Sequence, residues 1–498
     1  MPDTEGTGMR DVLVIGGGVA GLVAARACAH IGLSVTVLEA TDAVGGAVAG
    51  HEVAGLALDS GAESFAVRRN VVAEFVAELG LSDEIVAPNP AGAWLHLPED
   101  GSGQGTVSVP LPQAGVLGIP GSPLAHDVRR VIGWGGAWRA YLDRLMPVLT
   151  IGREHSLGEL VQKRMGRRVL ERLVEPVAGG VYSASAVDLE VDIVAPGLNA
   201  ALTTSGSLSG AVLALRSAAP AGSAIGGLRG GMSRLVTALR ADLDLYGAQV
   251  RTGSPVTAIT RTGTEDEPTW TVTAPAADAD AEPAAHEAAP ALQGRFLILA
   301  TPGAQALRLL AGVTPEAAEL AGLDWPEATA VELATIVIDA PALDAHPRGT
   351  GVLVAAGAPG VTAKALTHVS AKWEWVAEAA GPGRHVVRLS YGRAGEESPV
   401  AHLSDDELQA LALHDAAALL GVDLDPGAMR GFARTRWGST LSPATIGASD
   451  RVRRVREVVE SVQGLEVTGA WLAGTGLASV IPDALAAASR TRHAALGL

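Results

Sequence analysis

With 498 residues, the chain is too long for one hydrophobic core and is expected to form two or three domains; 48% hydrophobic and 18% charged residues mark it as globular. A formal net charge of −17 argues against a nucleic-acid partner, which needs a basic surface, but leaves room for a local basic pocket. One cysteine, Cys28, rules out a disulfide framework and suits the cytoplasm; none of the 12 histidines stands at metal-ligand spacing, so no metal site is expected.

The N-terminus MPDTEGTG is polar and lacks a basic stretch, so it does not read as a signal peptide. No run of about 18 apolar residues appears, and a transmembrane helix is not expected. The first structured element is Val12–Ile15, an all-apolar run suited to a central parallel strand. It leads into Gly16-Gly17-Gly18-Val19-Ala20-Gly21, a GxGxxG turn, then a helix that reaches Gly32 and a second strand ending at Glu39. In such a unit Gly16 makes the tight turn, Gly18 lets the backbone approach a pyrophosphate, and Gly21 lets helix pack on strand. The helix N-terminus offers free N–H groups to the phosphates. The Glu39 carboxylate suits ribose hydroxyls and would repel a 2′-phosphate. An adenine dinucleotide is therefore expected here, and NADP is disfavoured. Cys28 falls in this helix and reads as a small core residue.

The residues after Glu39 and Ala40 separate FAD from NAD. Gly45-Gly46-Ala47 follows closely, then a hairpin, then Asp59 and the stretch Gly61-Ala62-Glu63-Ser64. A second glycine pair at this spacing resembles the flavoproteins of the amine oxidase and desaturase superfamily, in which the backbone follows FAD toward its ring. That pattern is usually GGR or GGK; with Ala47 only the backbone role carries over. Further along, residues 122–192 read as helix-rich, with a basic set Arg129, Arg130, Lys163, Arg164, Arg167, Arg168 and Arg172. These suit a solvated helix face, or a membrane, partner or anion-attracting surface. RTGSPVTAITRTG (251–263) and RFLILATP (295–302) read as strand, hairpin and strand returning to the nucleotide domain, with Val256 placed on the first strand. Residues 274–291 are low-complexity and read as a disordered surface insertion. Residues 306–435 alternate strand-like runs with one helix, DDELQALALHDAAALLG, a sheet that would close over the cofactor. VTGAWLAGTGLASVIPDALAAASR (467–490) reads as strand, glycine turn and helix, the helix starting at Pro482-Asp483.

The expected fold class is α/β: a discontinuous Rossmann-like FAD-binding domain with a mixed-sheet substrate-binding domain and a helical subdomain. The FAD-binding domain is expected at 9–90, 221–305 (with the 274–291 insertion) and 440–498. Substrate-domain strands fall at 91–121, the helical subdomain at 122–220 and the substrate-binding domain at 306–439.

Several segments together carry a closer resemblance: SGAESFAVRRN (60–70), ELGLSDEIVAPNPAGAWL (78–95), GVLGIP (115–120), LVEPVAGGVYSASAVDLEVD (173–192), GGLRGGMSRLVTAL (226–239), ATPGAQALRLL (300–310), RWGSTLSPATIGASDRV (436–452) and GLASVIPDAL (476–485). The chain resembles the protoporphyrinogen and coproporphyrinogen oxidases of haem biosynthesis, especially the Gram-positive, actinobacterial coproporphyrinogen III oxidases. EPVAGGVYSAS is the most telling stretch. The resemblance implies FAD- and oxygen-dependent oxidation of coproporphyrinogen III to coproporphyrin III, a six-electron dehydrogenation in three two-electron steps that releases hydrogen peroxide. The flavin carries the hydride transfer, so no catalytic side chain is assigned. It implies FAD contacts at Gly16 to Gly21, Glu39, Ala40, Gly46, Ala47, Gly61 to Ser64, Val256, Trp437, Val480 and Ile481. It implies cations for the substrate propionates, for which Arg68, Arg69 and Lys364 are the candidates and Lys372 a weaker one. Ferrochelatase, the next haem-pathway enzyme, is an implied partner, and localisation is cytoplasmic with at most peripheral contact at the inner face of the cell membrane. Departures from the family are Ala47, His368 and the scarcity of Phe and Tyr. Protoporphyrinogen IX oxidase, another amine oxidase or desaturase, and a catalytically silent flavin-binding scaffold stay open as alternatives.

Overall fold

A computed structural model of the chain describes residues 9–67, 70–99, 105–113, 115–147, 154–217, 225–264, 267–274, 291–326, 329–440 and 444–498. Two large sheets and a helical layer organise it. In the first sheet, strands Gln249–Arg251, Val35–Leu38, Arg10–Ile15 and Leu292–Leu299 run parallel in that order. The first half of Leu292–Leu299 then pairs antiparallel with Pro268–Thr273, which pairs with Ala258–Gly263; its second half pairs parallel with Leu465–Val467. Val12, Leu13 and Val14 are fully buried, as a central strand covered on both faces requires. One face carries helices Val19–Ala29, Ser233–Leu245 and Leu477–Leu496. The first of these is buried almost all round, and its run of small residues lets the C-terminal helix lie close along it. Cys28 sits in that contact, and burial pushes its thiol up to about 12.

The second sheet runs Met429–Thr440, Thr329–Asp339, Arg384–Tyr391, Ala365–His368, Gly351–Val354, Ala93–Pro98 and Thr106–Pro110. All neighbours are antiparallel except Gly351–Val354 with Ala93–Pro98. Helix Asp405–Leu420 covers its outer face. That helix is well delimited: Ser404 and Glu407 form a reciprocal cap at its start, and Gly421 takes a left-handed φ of 68° at its end. Its Asp415 is buried and accepts from the Thr362 and Ala363 N–H groups, which clips the edge loop to the helix. The helical layer comprises His126–Tyr141, Leu157–Met165, a run from Arg167 to Tyr182 broken by a π-helical turn at Leu170–Val174, and the pair Leu198–Ser205 and Leu208–Ser217.

Three expectations need correction. The boundary at 305/306 falls inside helix Gly303–Leu310. That helix and Pro315–Glu319 pack with Val256, Trp270 and Leu465 on the first sheet's other face, so the chain returns to the second sheet only at 329. Residues 306–435 also hold Glu374–Ala380 and Val369–Lys372 besides the helix Asp405–Leu420. The basic set in the helical layer is not one solvated face. Arg164 is 5% exposed and bonds Asp143 at 2.6 Å, Arg168 and Arg172 donate to the Ile132 and Val131 carbonyls, and Lys163 pairs with Glu154. These cations are consumed by helix packing, which spacing alone does not reveal. The low-complexity stretch lies outside the described residues except at its two ends.

Candidate flavin and substrate site

The glycine turn is built from close approaches. Gly16 has φ 106°, and a Cβ there would stand 2.6 Å from the Ala300 carbonyl oxygen. A Cβ on Gly21 would stand 1.9 Å from the Gly16 oxygen, so only glycine lets the helix meet the strand. Gly18 differs: a Cβ there would meet nothing within 4 Å. Gly18 is the cap of the helix and has no side chain to bond the N–H groups of its first turn. An open cradle at an uncapped helix N-terminus fits a pyrophosphate. Val19 and Ala20 are buried behind it.

Glu39 stands beside this cradle. Its Oε2 accepts from the Gly17 N–H at 2.7 Å, and its Oε1 accepts from the Thr41 N–H and hydroxyl at 2.9 and 2.8 Å. The loop holding Val256 docks on the same strand end, with the Ser254 N–H donating to the Glu39 carbonyl. Val256 is buried in that loop, not on a strand, and its carbonyl accepts from Gln305. Ala40 is exposed next to Glu39.

The second glycine pair meets the first directly. The Gly45 N–H donates to the Gly17 carbonyl at 2.8 Å, and Gly46, at φ 58°, brings its backbone against Gly18. From there the Ala47 carbonyl accepts from the Ala62 N–H at 2.8 Å. A Cβ on Gly61 would stand 2.1 Å from that carbonyl and 3.0 Å from the Trp437 ring. Trp437 donates its indole N–H to the Ser60 carbonyl at 3.0 Å. Gly16 to Gly21, Gly45 to Ala47, Gly61 to Ser64 and Trp437 thus form one continuous surface, backed by helix Leu477–Leu496 alongside helix Val19–Ala29.

The C-terminal turn is placed differently from the sequence expectation. The helix starts at Leu477 with Gly476 as its cap, so Val480 and Ile481 are not in a turn but buried inside the helix, in the core with Val23 and Leu235. The first-turn preference of proline does not apply to Pro482, which lies in the second turn and forgoes there the bond that an N–H would make to Ala478. Asp483 accepts from the Thr468 hydroxyl at 2.7 Å and from Arg456.

Glu63 has a role its motif did not disclose. Its carboxylate takes Lys372 at 2.5 Å and Arg388 at 2.8 Å, from helix Val369–Lys372 and the second-sheet strand Arg384–Tyr391. Burial alone would raise this carboxyl, but the two cations outweigh it and hold it at about 2. Arg388 also donates to the Asp59 and Gly61 carbonyls at 3.0 and 3.1 Å. Asp59 accepts from the Met232 N–H at 2.8 Å, and burial pushes its carboxyl to about 6. These contacts bolt the second sheet to the Gly61 loop, and they remove Lys372 as a free substrate cation. Arg388 and Asp59 went unassigned; the signal was a charged residue inside the apolar strand HVVRLSYG. Arg68 and Arg69 lie outside the described residues. Lys364 is 3% exposed and donates to the Ser183 hydroxyl at 2.5 Å.

Above the Gly61 loop lies the inner face of the second sheet. Register sets Thr435, Leu333, Ser390, Ala365 and Leu353 in one row across five strands. All five are half-buried, whereas their outward neighbours Ala334, Val354, Leu366, Leu389 and Tyr391 are buried. The centre of a sheet packed on both faces would be buried on both. The row is therefore partly open to solvent, and it spans about 19 Å at the spacing of neighbouring strands. Its middle residue, Ser390, lies two residues, about 7 Å, beyond the Arg388 that holds Gly61. Short aliphatic and hydroxyl side chains make it a broad, shallow floor.

A flavin-containing amine oxidoreductase model matches residues 19–491. The chain belongs to the flavin-containing amine oxidoreductase family. It is therefore a flavin-containing oxidoreductase. It is 31% identical to a coproporphyrinogen III oxidase from Mycobacterium leprae, over 97% of this chain and 98% of that one. It is 26% identical to the coproporphyrinogen III oxidase of Bacillus subtilis, at 97% and 98% coverage. Its fold matches the crystal structure of a candidate protoporphyrinogen oxidase from an Exiguobacterium species, with TM-score 0.77, 24% identity and coverage of 99% and 100%.

Proposed function

We propose that this family member is an FAD- and oxygen-dependent coproporphyrinogen III oxidase that forms coproporphyrin III and hydrogen peroxide. FAD rather than a smaller flavin is supported by the length of the cradle, which runs from the Val256 loop through Glu39 and Gly18 to Gly61. In this reading Glu39 holds ribose hydroxyls, the first-turn N–H groups after Gly18 hold the pyrophosphate, and the backbone from Ala47 to Ser64, with Trp437, flanks the ring. When bound, the flavin supplies a two-electron acceptor that oxygen can reoxidise. The chain itself orients the substrate on the sheet floor. The observation that carries the porphyrinogen reading is that floor: a row of five half-buried, short side chains is wide enough for a tetrapyrrole and far wider than a small amine needs. Relatives spanning the full chain and bearing the coproporphyrinogen III oxidase name support the same choice.

Arg68 and Arg69, which follow the Gly61 loop, and Lys364 are proposed propionate ligands. No protein base is assigned. A cytoplasmic location with contact at the inner membrane face is also proposed. Among the described residues no single helix is long and apolar enough to cross a membrane. The helical layer nevertheless exposes Trp134 (60%), Trp138, Leu142 and Leu145 (75%) at helical spacing, flanked by Arg130 and Arg144. Such a stripe suits an anionic lipid surface. The same surface could instead receive ferrochelatase; flotation with anionic vesicles, lost in Trp134→Ser/Trp138→Ser, distinguishes lipid from protein.

The direct test is turnover. Purified protein should be yellow, and coproporphyrinogen III should yield red porphyrin fluorescence with peroxide. Faster turnover of protoporphyrinogen IX would reassign the substrate. Peroxide from an amine would select an amine oxidase, and bound flavin without turnover of any of these would leave a scaffold.

A further inference from the structure

The floor of the sheet ends, on the Leu353 side, against helix Glu175–Tyr182. Two cations meet there. Lys364 directly precedes Ala365 of the row, is 3% exposed, and has the Ser183 hydroxyl as its partner. Arg393, three residues after Ser390 of the row, lies along the same helix: a Cβ on Gly179 would stand 2.5 Å from its guanidinium Nη1. Gly179 lies in the last turns of this helix and Ser183 is its C-terminal cap, so both cations meet the same helix end, near enough for Arg393 to act on the Lys364 ammonium. Gly180 gives the neighbouring close approach, to Leu353 of the row.

Among the described residues neither cation has a carboxylate partner: Lys364 and Arg393 make no ion pair, whereas Arg388 and Arg434 of the same sheet, and Lys372 at the end of helix Val369–Lys372, are all paired with glutamates. A buried ammonium next to a guanidinium without a counter-charge is costly, and an incoming anion would relieve it. Burial, and then Arg393, bring the Lys364 ammonium down to about 8, the direction expected of an uncompensated pair. The surrounding backbone is held in an unusual form. Ser183 takes φ 57°, fixed by the Ala394 N–H on its carbonyl and by Lys364 on its hydroxyl, and a π-helical turn precedes the helix. Non-glycine residues keep such conformations where surrounding contacts over-determine them, which is common at ligand sites.

We propose that Arg393 and Lys364 form a carboxylate-binding site at the end of the sheet floor remote from Gly61, with half-buried Arg393 as the principal contact and Lys364, held by Ser183, as the second cation. The proposal rests on the porphyrinogen reading only for its ligand: a peripheral propionate of a tetrapyrrole. The Gly179-Gly180 pair then has a reason, since a side chain at Gly179 would displace the guanidinium.

The test compares carboxylate and ester forms of one ring. Arg393→Gln should raise KM for coproporphyrinogen III about tenfold, the scale of one lost charge-assisted contact, with a smaller change in kcat. It should leave the KM of the tetramethyl ester within twofold. Lys364→Met should give the same pattern more weakly, and Arg393→Lys should recover part of the loss. FAD content and far-ultraviolet circular dichroism report whether each variant folds. The same variants are titrated with coproporphyrin III, read by quenching of protein fluorescence, so that binding is measured without turnover. A wild-type protein that oxidises coproporphyrinogen while Arg393→Gln leaves its KM unchanged, or raises that of the ester equally, overturns the carboxylate site and spares the functional reading. A wild-type protein that turns over neither porphyrinogen overturns the functional reading. The site is then kept by weaker coproporphyrin binding in Arg393→Gln and lost by equal binding.

Discussion

The cofactor cradle and the sheet floor are made in opposite ways. The cradle is backbone: Gly16, Gly18, Gly21, Gly45, Gly46 and Gly61 act through what they lack, and the Ala47 and Gly17 carbonyls bind neighbouring loops. The floor is side chain, contributed one residue at a time by five strands scattered in sequence from Leu333 to Thr435. A backbone site is specified by short-range spacing and tolerates almost no added atoms. A side-chain site is specified by register and should tolerate graded change. Each prediction below breaks or sharpens that contrast.

The largest effect is expected at the two glycines that differ most. Gly18→Val places its side chain in open space, at φ −67°, so the protein itself should fold normally. The space it fills is the one assigned to the pyrophosphate, and FAD affinity should fall more than 100-fold, a loss of roughly 3 kcal/mol or more. Gly21→Val should behave oppositely, failing to fold because its side chain meets the Gly16 carbonyl. Circular dichroism, thermal melting and flavin titration separate the two. A Gly18→Val protein that keeps its flavin would remove the phosphates from this turn.

The seam between the regions comes next. Glu63→Gln would leave Lys372 and Arg388 partly buried without their carboxylate, and breaking such a pair costs about 3 kcal/mol. The pH dependence has a definite sign. Glu63 titrates below its ordinary value of 4.5, at about 2. Its contribution is therefore fully present above pH 4.5 and disappears as pH falls toward 2. The stability gap between wild type and Glu63→Gln, from urea denaturation, should be widest near neutrality and close as the medium is acidified across that window. A gap that stays constant would show that the carboxylate is not what joins the second sheet to the Gly61 loop.

The contrast also explains what could be read from the chain. The parallel strands, the glycine turn and Glu39 were legible because local spacing dictates them. Their meeting with Gly45 and Gly61 was legible through motif order. The helix start was not: Pro482 favours a first turn, yet Gly476 opens the helix earlier because Val480, Ile481 and Ala484 must face the buried helix Val19–Ala29. Packing overrode propensity there. Arg388 on Glu63, Lys364 on Ser183 and the row at Ala365 depend on strand register across distant segments, which no single stretch records.

A graded response is expected on the floor. Ala365→Phe would add a ring to the row next to its Leu353 end, where Ala365 is half-buried between Ser390 and Leu353. It should lower kcat/KM for coproporphyrinogen III about tenfold, the scale of an overpacked site, while FAD affinity stays unchanged. Loss of FAD together with activity would mean that the row is structural and does not floor the site.

The smallest effect should come from Ala47→Arg, which restores the cation common at this point of the family pattern. Ala47 is exposed, so the longer side chain has room. Its carbonyl, the group that orders the Gly61 loop by accepting from Ala62, is untouched. If the cradle works through backbone, FAD affinity should move by less than threefold, below about 1 kcal/mol, the scale of an exposed charge. A tightening of tenfold or more in a flavin titration would place a side-chain cation among the determinants of the cradle, and the division between a backbone-made and a side-chain-made half of the site would no longer hold.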